Sequence, residues 1–151
     1  MRYSQTELEI RLGNMSDDHQ TDGIVQIEKE ADTIRIEQSE DQPSLYILSA
    51  SAPRWKGGQF QESETLARLY QDLLKSAADH QIESLAFPAI STGVYHFPLK
   101  EAAKIAAASV CEFLQERPST FTRLVWVVFD EKTRYVYQRI FEQVADEQEV
   151  K

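Results

Sequence analysis

The sequence predicts an α/β fold, and three observations carry that prediction. Two dense apolar runs, SLAFPAI (84–90) and RLVWVVFD (123–130), read as central strands buried on both faces. Three segments of helical period follow strand-like runs in the second half, giving strand–helix–strand–helix–strand–helix. That alternation implies parallel neighbours joined by right-handed crossovers.

Taken in order, LEIRL (8–12) alternates as a half-buried strand, and GIVQI (23–27) reads as a second. TIRI (33–36) alternates again. EKEAD between these two is expected to turn them into a hairpin with one face in water. SLYILSA (44–50) is a more continuous apolar run. A first helix is expected from about 62 to 80, because Leu66, Leu69, Tyr70, Leu73, Leu74 and Ala77 recur at three- and four-residue steps. A second spans 99–116, with Ala103, Ile105, Ala106, Val110, Phe113 and Leu114 on one face. A third runs from Lys132 to about Asp146, with Val136, Ile140, Phe141 and Val144 inward. The charged residues 146–151 are expected to fray. The 151 residues suit a single domain, 1–151, with no internal repeat.

Composition narrows the function. Hydrophobic content of 42% and charged content of 27% are those of an ordinary globular chain. No apolar run reaches about 18 residues, and the first residues show no apolar signal segment. Cys111 is the one cysteine, so no internal disulfide is expected. A cytoplasmic protein without membrane contact is the expectation. The formal charge of −9 opposes binding to nucleic acid, because phosphates are repelled at long range. It leaves room for a small anion held locally by backbone N–H groups.

One loop has the grammar for that. In FPAISTGVYHFPLKEAA (87–103), an apolar strand stops at small hydroxyls and a glycine, and a helix begins soon after. Ligands of open α/β sheets sit beyond the carboxyl ends of strands. Ser91, Thr92, Gly93, Val94 and Tyr95 lie at such an end. Pro98 suits the first turn of the next helix, whose positive end then faces the loop. An ordinary strand-to-helix turn explains the same residues equally well. Other constellations are weaker. His19, His80 and His96 are far apart, so no metal site is assigned. Cys111 falls on the apolar side of an alanine-rich helix. Asp17, Asp18, Glu40 and Asp41 read as solvated turn acids, and Lys132, Arg134 and Arg139 as surface pairs.

Four segments, LEIRLGNMSDDHQTDGIVQ, SAPRWKGG (51–58), FPAISTGVY and LVWVVFDEKTRYVYQRIF, resemble, in this order along the chain, the macrodomain family. The resemblance implies a three-layer α/β/α fold with a mixed central sheet and, here, an abbreviated N-terminal half. It implies ADP-ribose or a related nucleotide as ligand, with Ser91 to Tyr95 on phosphate and Phe129, Asp130 and Asn14 on adenine and ribose. Gln26, in the place of the family's first asparagine, and His96, where a glycine is common, are further candidates. Each has an ordinary alternative: Phe129 as the last core residue of its strand, Asn14 as a turn residue after Gly13, His96 as an exposed loop residue. The family's Asn-rich and Gly-rich first loop has no counterpart, since DGIVQ runs directly into IEKEADTIRIEQ. Efficient hydrolysis is therefore not expected, no catalytic residue and no cofactor are assigned, and no protein partner is identified. The expected function is a binding module. The alternative is a relic of the fold that serves protein contacts, and an ADP-ribosyl hydrolase stands third.

Overall fold

The structure, a computed structural model, describes residues 1–15, 21–29, 33–90 and 96–149. A mixed seven-stranded sheet has the order β1-β2-β7-β6-β3-β5-β4. Its five inner strands, β2 (Thr6–Leu12), β7 (Arg123–Val128), β6 (Ser84–Phe87), β3 (Gly23–Glu28) and β5 (Tyr46–Ser51), run parallel. The edges, β1 (Arg2–Tyr3) and β4 (Arg35–Gln38), are antiparallel to their neighbours. β6 and β7 are buried at nearly every position, as their apolar density requires.

The sheet corrects one expectation. β3 and β4 do not form a hairpin; β5 lies between them, parallel to β3 and antiparallel to β4. The physical reason is that β3 is an inner strand with both edges occupied, by β6 and by β5. β4 carries exposed Arg35 and Glu37 and suits an edge, and it pairs with β5 across a short turn closed by Ser39 N–H to Leu45 O at 2.9 Å. Its strand also falls two residues later than 33–36.

Three helices follow strands in the second half: α1 (Glu62–Asp79), α2 (Leu99–Glu116) and α3 (Glu131–Glu149). Helix α3 continues three residues past Asp146, where the apolar pattern ends. All three pack on one face of the sheet and share one core. Trp126 of β7 is its centre. Its Nε1–H donates to Tyr70 Oη of α1 at 3.2 Å, and its ring lies 4.8 Å from Phe87 of β6 and 4.6 Å from Phe141 of α3. Cys111 of α2 is buried in the same core.

The opposite face holds a smaller cluster, Ala86, Val125 and Val127, with Met15 and Ile24 against it. Beside it Glu9 pairs with Arg11 at 2.8 Å and with Arg123 at 4.0 Å. Among the described residues no helix covers this face; the α/β fold with a mixed central sheet and three helices is the expected one. None of the described helices is long and apolar enough to cross a membrane.

Candidate functional site

Five parallel strands put five carboxyl ends in one row, and the expected ligand residues can be placed along it. The ladder between β2 and β7 ends at Leu12 and Val128, and Gly13 N–H continues it to Val128 O at 3.0 Å. Asn14 follows this end of β2, and Phe129 and Asp130 follow the paired end of β7. Asn14 is exposed. Phe129 is 79% exposed and Leu12 44%, so two large apolar side chains stand in solvent at adjacent strand ends. Phe129 is therefore not a core residue of its strand.

Asp130 has a structural task. Its Oδ1 accepts the Thr133 N–H at 2.7 Å, which caps the start of α3. That hydrogen bond holds its carboxyl below the usual carboxylate range.

Gln26 stands apart. It is exposed on β3, in register with Ser49 of β5, and its neighbour Val25 belongs to the helical core. Alternation along the strand turns Gln26 to the face that carries Ile24 and Ala86. β3 is two strand positions from β7, about 10 Å away. His96 is exposed, with φ 59° in the left-handed region. That conformation suits glycine better than a residue with a Cβ, and glycine is the residue common there in the family it resembles. Ser91, Thr92, Gly93, Val94 and Tyr95, the expected phosphate loop, lie outside the described residues, as does His19. Among the described residues, no group of three His, Cys, Asp or Glu side chains is placed to hold a metal ion.

The segment 53–62 is built by an acid that the sequence pattern did not single out. Glu62, the first residue of α1, is only 4% exposed. Its carboxylate turns back and accepts the N–H groups of Lys56 at 2.8 Å, Gly58 at 2.9 Å and Phe60 at 2.7 Å. Burial pushes the carboxyl up, but these donors and its own N–H outweigh it and bring it down to about 2. Gly58 has φ 86°, and a Cβ there would meet the Trp55 ring at 2.9 Å. Trp55 in turn packs on Phe97, ring centroids 4.9 Å apart, just before α2. Trp55 is thus a half-buried brace between two loops.

This loop forms one wall of a cleft of about 550 Å³ beyond the ends of β3 and β5, lined by Lys29, Arg54, Lys56, Phe60, Glu62 and Thr65 among others. None of these stands out in the sequence as a site residue. The available signal is an acid at a helix start behind a Gly-Gly turn, with two bases, Arg54 and Lys56, just before that turn.

Comparison with known proteins places the chain. The macro domain family model matches residues 19–106, more than half of it, and the chain belongs to the macro domain family. An uncharacterized protein of Fusobacterium nucleatum is 41% identical over 104 residues, covering 69% of this chain and 59% of that protein. An O-acetyl-ADP-ribose deacetylase of Klebsiella pneumoniae is 43% identical over 100 residues, covering 66% of this chain and 57% of that one. The match thus spans less than three fifths of these curated relatives' length. Among solved structures, the Oceanobacillus iheyensis macrodomain with ADP is similar with a TM-score of 0.86 at 23% identity, over 97% of this chain and 96% of that one. The Trypanosoma brucei macrodomain in complex with ADP-ribose gives 0.76 at 20%, over 88% and 68%. At these identities the two structures speak for the fold.

Proposed function

We propose that this chain binds ADP-ribose, or a related phosphate-bearing nucleotide, and does not hydrolyse its linkages efficiently. The observation that carries the reading is Phe129, 79% exposed at the carboxyl end of β7, whose neighbour β2 ends just before Asn14. A bare aromatic face at a strand end is a platform for a purine. Asn14 then accepts from the adenine amino group through its amide oxygen. Ser91 to Tyr95 hold the diphosphate with backbone N–H groups at the end of the next strand in the row. His96, which follows this loop in the chain, and Gln26 of β3 are further candidates, and Asp130 contributes chiefly by fixing α3 behind Phe129. The ligands of the two solved relatives, ADP and ADP-ribose, agree with this chemistry.

Weak hydrolysis follows from a divergent first half. Between GIVQIE of β3 and β4 the sequence reads KEADTI, without asparagine or glycine, and the reading of weak hydrolysis rests on that. Misplacing reacting groups by about 1 Å costs on the order of 100-fold in rate.

Calorimetric titration tests the binding reading. Wild type should take up ADP-ribose, and Phe129→Ala should weaken it about 5- to 150-fold, since base–aromatic stacking contributes about 1–3 kcal/mol. No heat at millimolar ADP-ribose would end it. The second reading, a deacetylase of O-acetyl-ADP-ribose, is favoured by the name of the 43%-identical Klebsiella relative. A deacetylation assay beside such a relative should give turnover at least about 100-fold lower for this chain. Equal turnover would move the assignment to the enzyme.

A further inference from the structure

The sheet ends on one side at β4, and among the described residues no strand lies beyond it. The opposite edge, β1, has two residues and is too short for a ladder. β4 keeps an unbroken register with β5 from Arg35 to Gln38. Prolines, bulges and lysines commonly guard an edge against further pairing, and β4 has none of them.

One bond fixes where its backbone groups point. Ser39 N–H donates to Leu45 O at 2.9 Å, which marks these two as a hydrogen-bonded pair. Such pairs alternate along an antiparallel ladder with pairs whose groups face away. Arg35 and Glu37 therefore bond toward β5, while Ile36 and Gln38 turn their N–H and C=O groups outward. Side chains alternate as well. Ile36 packs against the helical core. Arg35 and Glu37 share the other face, joined at 2.9 Å, and Arg35 also holds Glu28 at 2.6 Å.

This edge is complementary to itself. Two β4 strands paired about a two-fold axis at Ile36 bond Ile36 to Ile36 through both outward groups. The same register sets Arg35 of each copy opposite Glu37 of the other, at the closely spaced positions. The adjacent registers that keep outward groups paired set Arg35 against Arg35, or Glu37 against Glu37. Like charges directly opposite are destabilising, so charge selects the register centred on Ile36.

We infer that β4 is the docking edge for a second copy of this chain, the two joining as one continuous antiparallel sheet. A second copy is the occupant because Arg-Ile-Glu is complementary to its own reverse. The contact spans a few residues of each copy, so the dimer is weak, with a dissociation constant of about 0.1–1 mM. β4 is four strand positions from β7, about 19 Å, so Phe129 stays open in the dimer.

Sedimentation equilibrium of the full chain up to about 1 mM tests this. The weight-average mass should rise above that of the monomer with concentration. Amide hydrogen exchange at Ile36 and Gln38 should slow over the same range, while Glu37, already bonded toward β5, stays as it is. Arg35→Glu and Glu37→Arg should each weaken self-association at least about tenfold. Mixed in equal amounts, these two variants should associate, because every facing pair again has opposite charges. The double variant Arg35→Glu, Glu37→Arg should do so alone. Gln38→Pro removes an outward N–H, spares the bonds to β5 and changes no charge, and it should weaken association too. Circular dichroism checks that each variant is folded. A monomeric mass at about 1 mM, single variants that associate as wild type does, or a mixture that stays monomeric would overturn the inference. Phe129→Ala should leave association unchanged, and Arg35→Glu should leave ADP-ribose binding unchanged, so the dimer and the ligand site fail separately.

Discussion

Glu62 links a single ionisation to the shape of a loop. Burial raises its carboxyl, yet three loop N–H groups and its own bond to the charged form and bring it from the usual 4.5 to about 2 in the folded chain. Above about pH 4.5 the group is ionised in both folded and unfolded chains, and its contribution to stability is complete. As pH falls from about 4.5 toward about 2, the unfolded chain takes up the proton first and that contribution is lost. Glu62→Gln has no carboxyl to titrate. Urea unfolding across this window should show wild type well ahead of Glu62→Gln at neutral pH, with the gap narrowing as acid is added. A gap that stays constant from pH 6 to about 2.5 would mean that the carboxylate does not organise residues 56–60. The sequence does not disclose this role, since an acid in the first turn of a helix is ordinary for electrostatic reasons alone.

At the level of elements, α3 shows the same economy in a simpler form. Asp130 closes β7 and caps α3 through the Thr133 N–H. Asp130→Ala should lower the melting temperature by about 2–4 °C, while Asp130→Asn, which also caps, should stay near wild type. Thermal unfolding followed by circular dichroism reads both, and an unchanged Asp130→Ala would show that the cap does not hold α3. Elements with a strong local code are legible in the amino-acid sequence itself. Helix α2 spans the expected 99–116, because an alanine-rich apolar face behind Pro98 states both its period and its start. Strands β6 and β7 declare themselves by density. The partner of β4 does not, since pairing depends on which edges remain open once the sheet assembles, and that is decided by β6 claiming the far side of β3. Of the candidate site, the choice of Asn14 and Phe129, which follow the ends of paired strands, comes from family resemblance. The cationic cleft is not, because Lys29 and Lys56 are far apart in sequence and converge only when β5 lies beside β3.

For the molecule as a whole, the core shared by the three helices makes stability a shared property. Residues of α1, α2, α3 and six strands belong to a single buried cluster, and Trp126 touches Tyr70, Phe87 and Phe141 from three different elements. No helix can detach without opening the core of the others, so the chain should unfold in one step although no described helix covers the second face. Leu74 of α1 is fully buried in that cluster. Leu74→Ala should cost about 2–5 kcal/mol, the usual range for a truncated core leucine. The two tryptophans report from different places: Trp126 at the centre of the core, Trp55 half-buried in the loop beside the cleft. Fluorescence of Trp55→Phe, which isolates Trp126, and far-ultraviolet circular dichroism should therefore give coincident denaturation curves, in wild type and in Leu74→Ala alike. Curves that separate in the variant would show that α1 and its strands unfold independently of the β7–α3 half. The cleft would then sit on a subdomain of its own rather than on the rigid end of a single sheet.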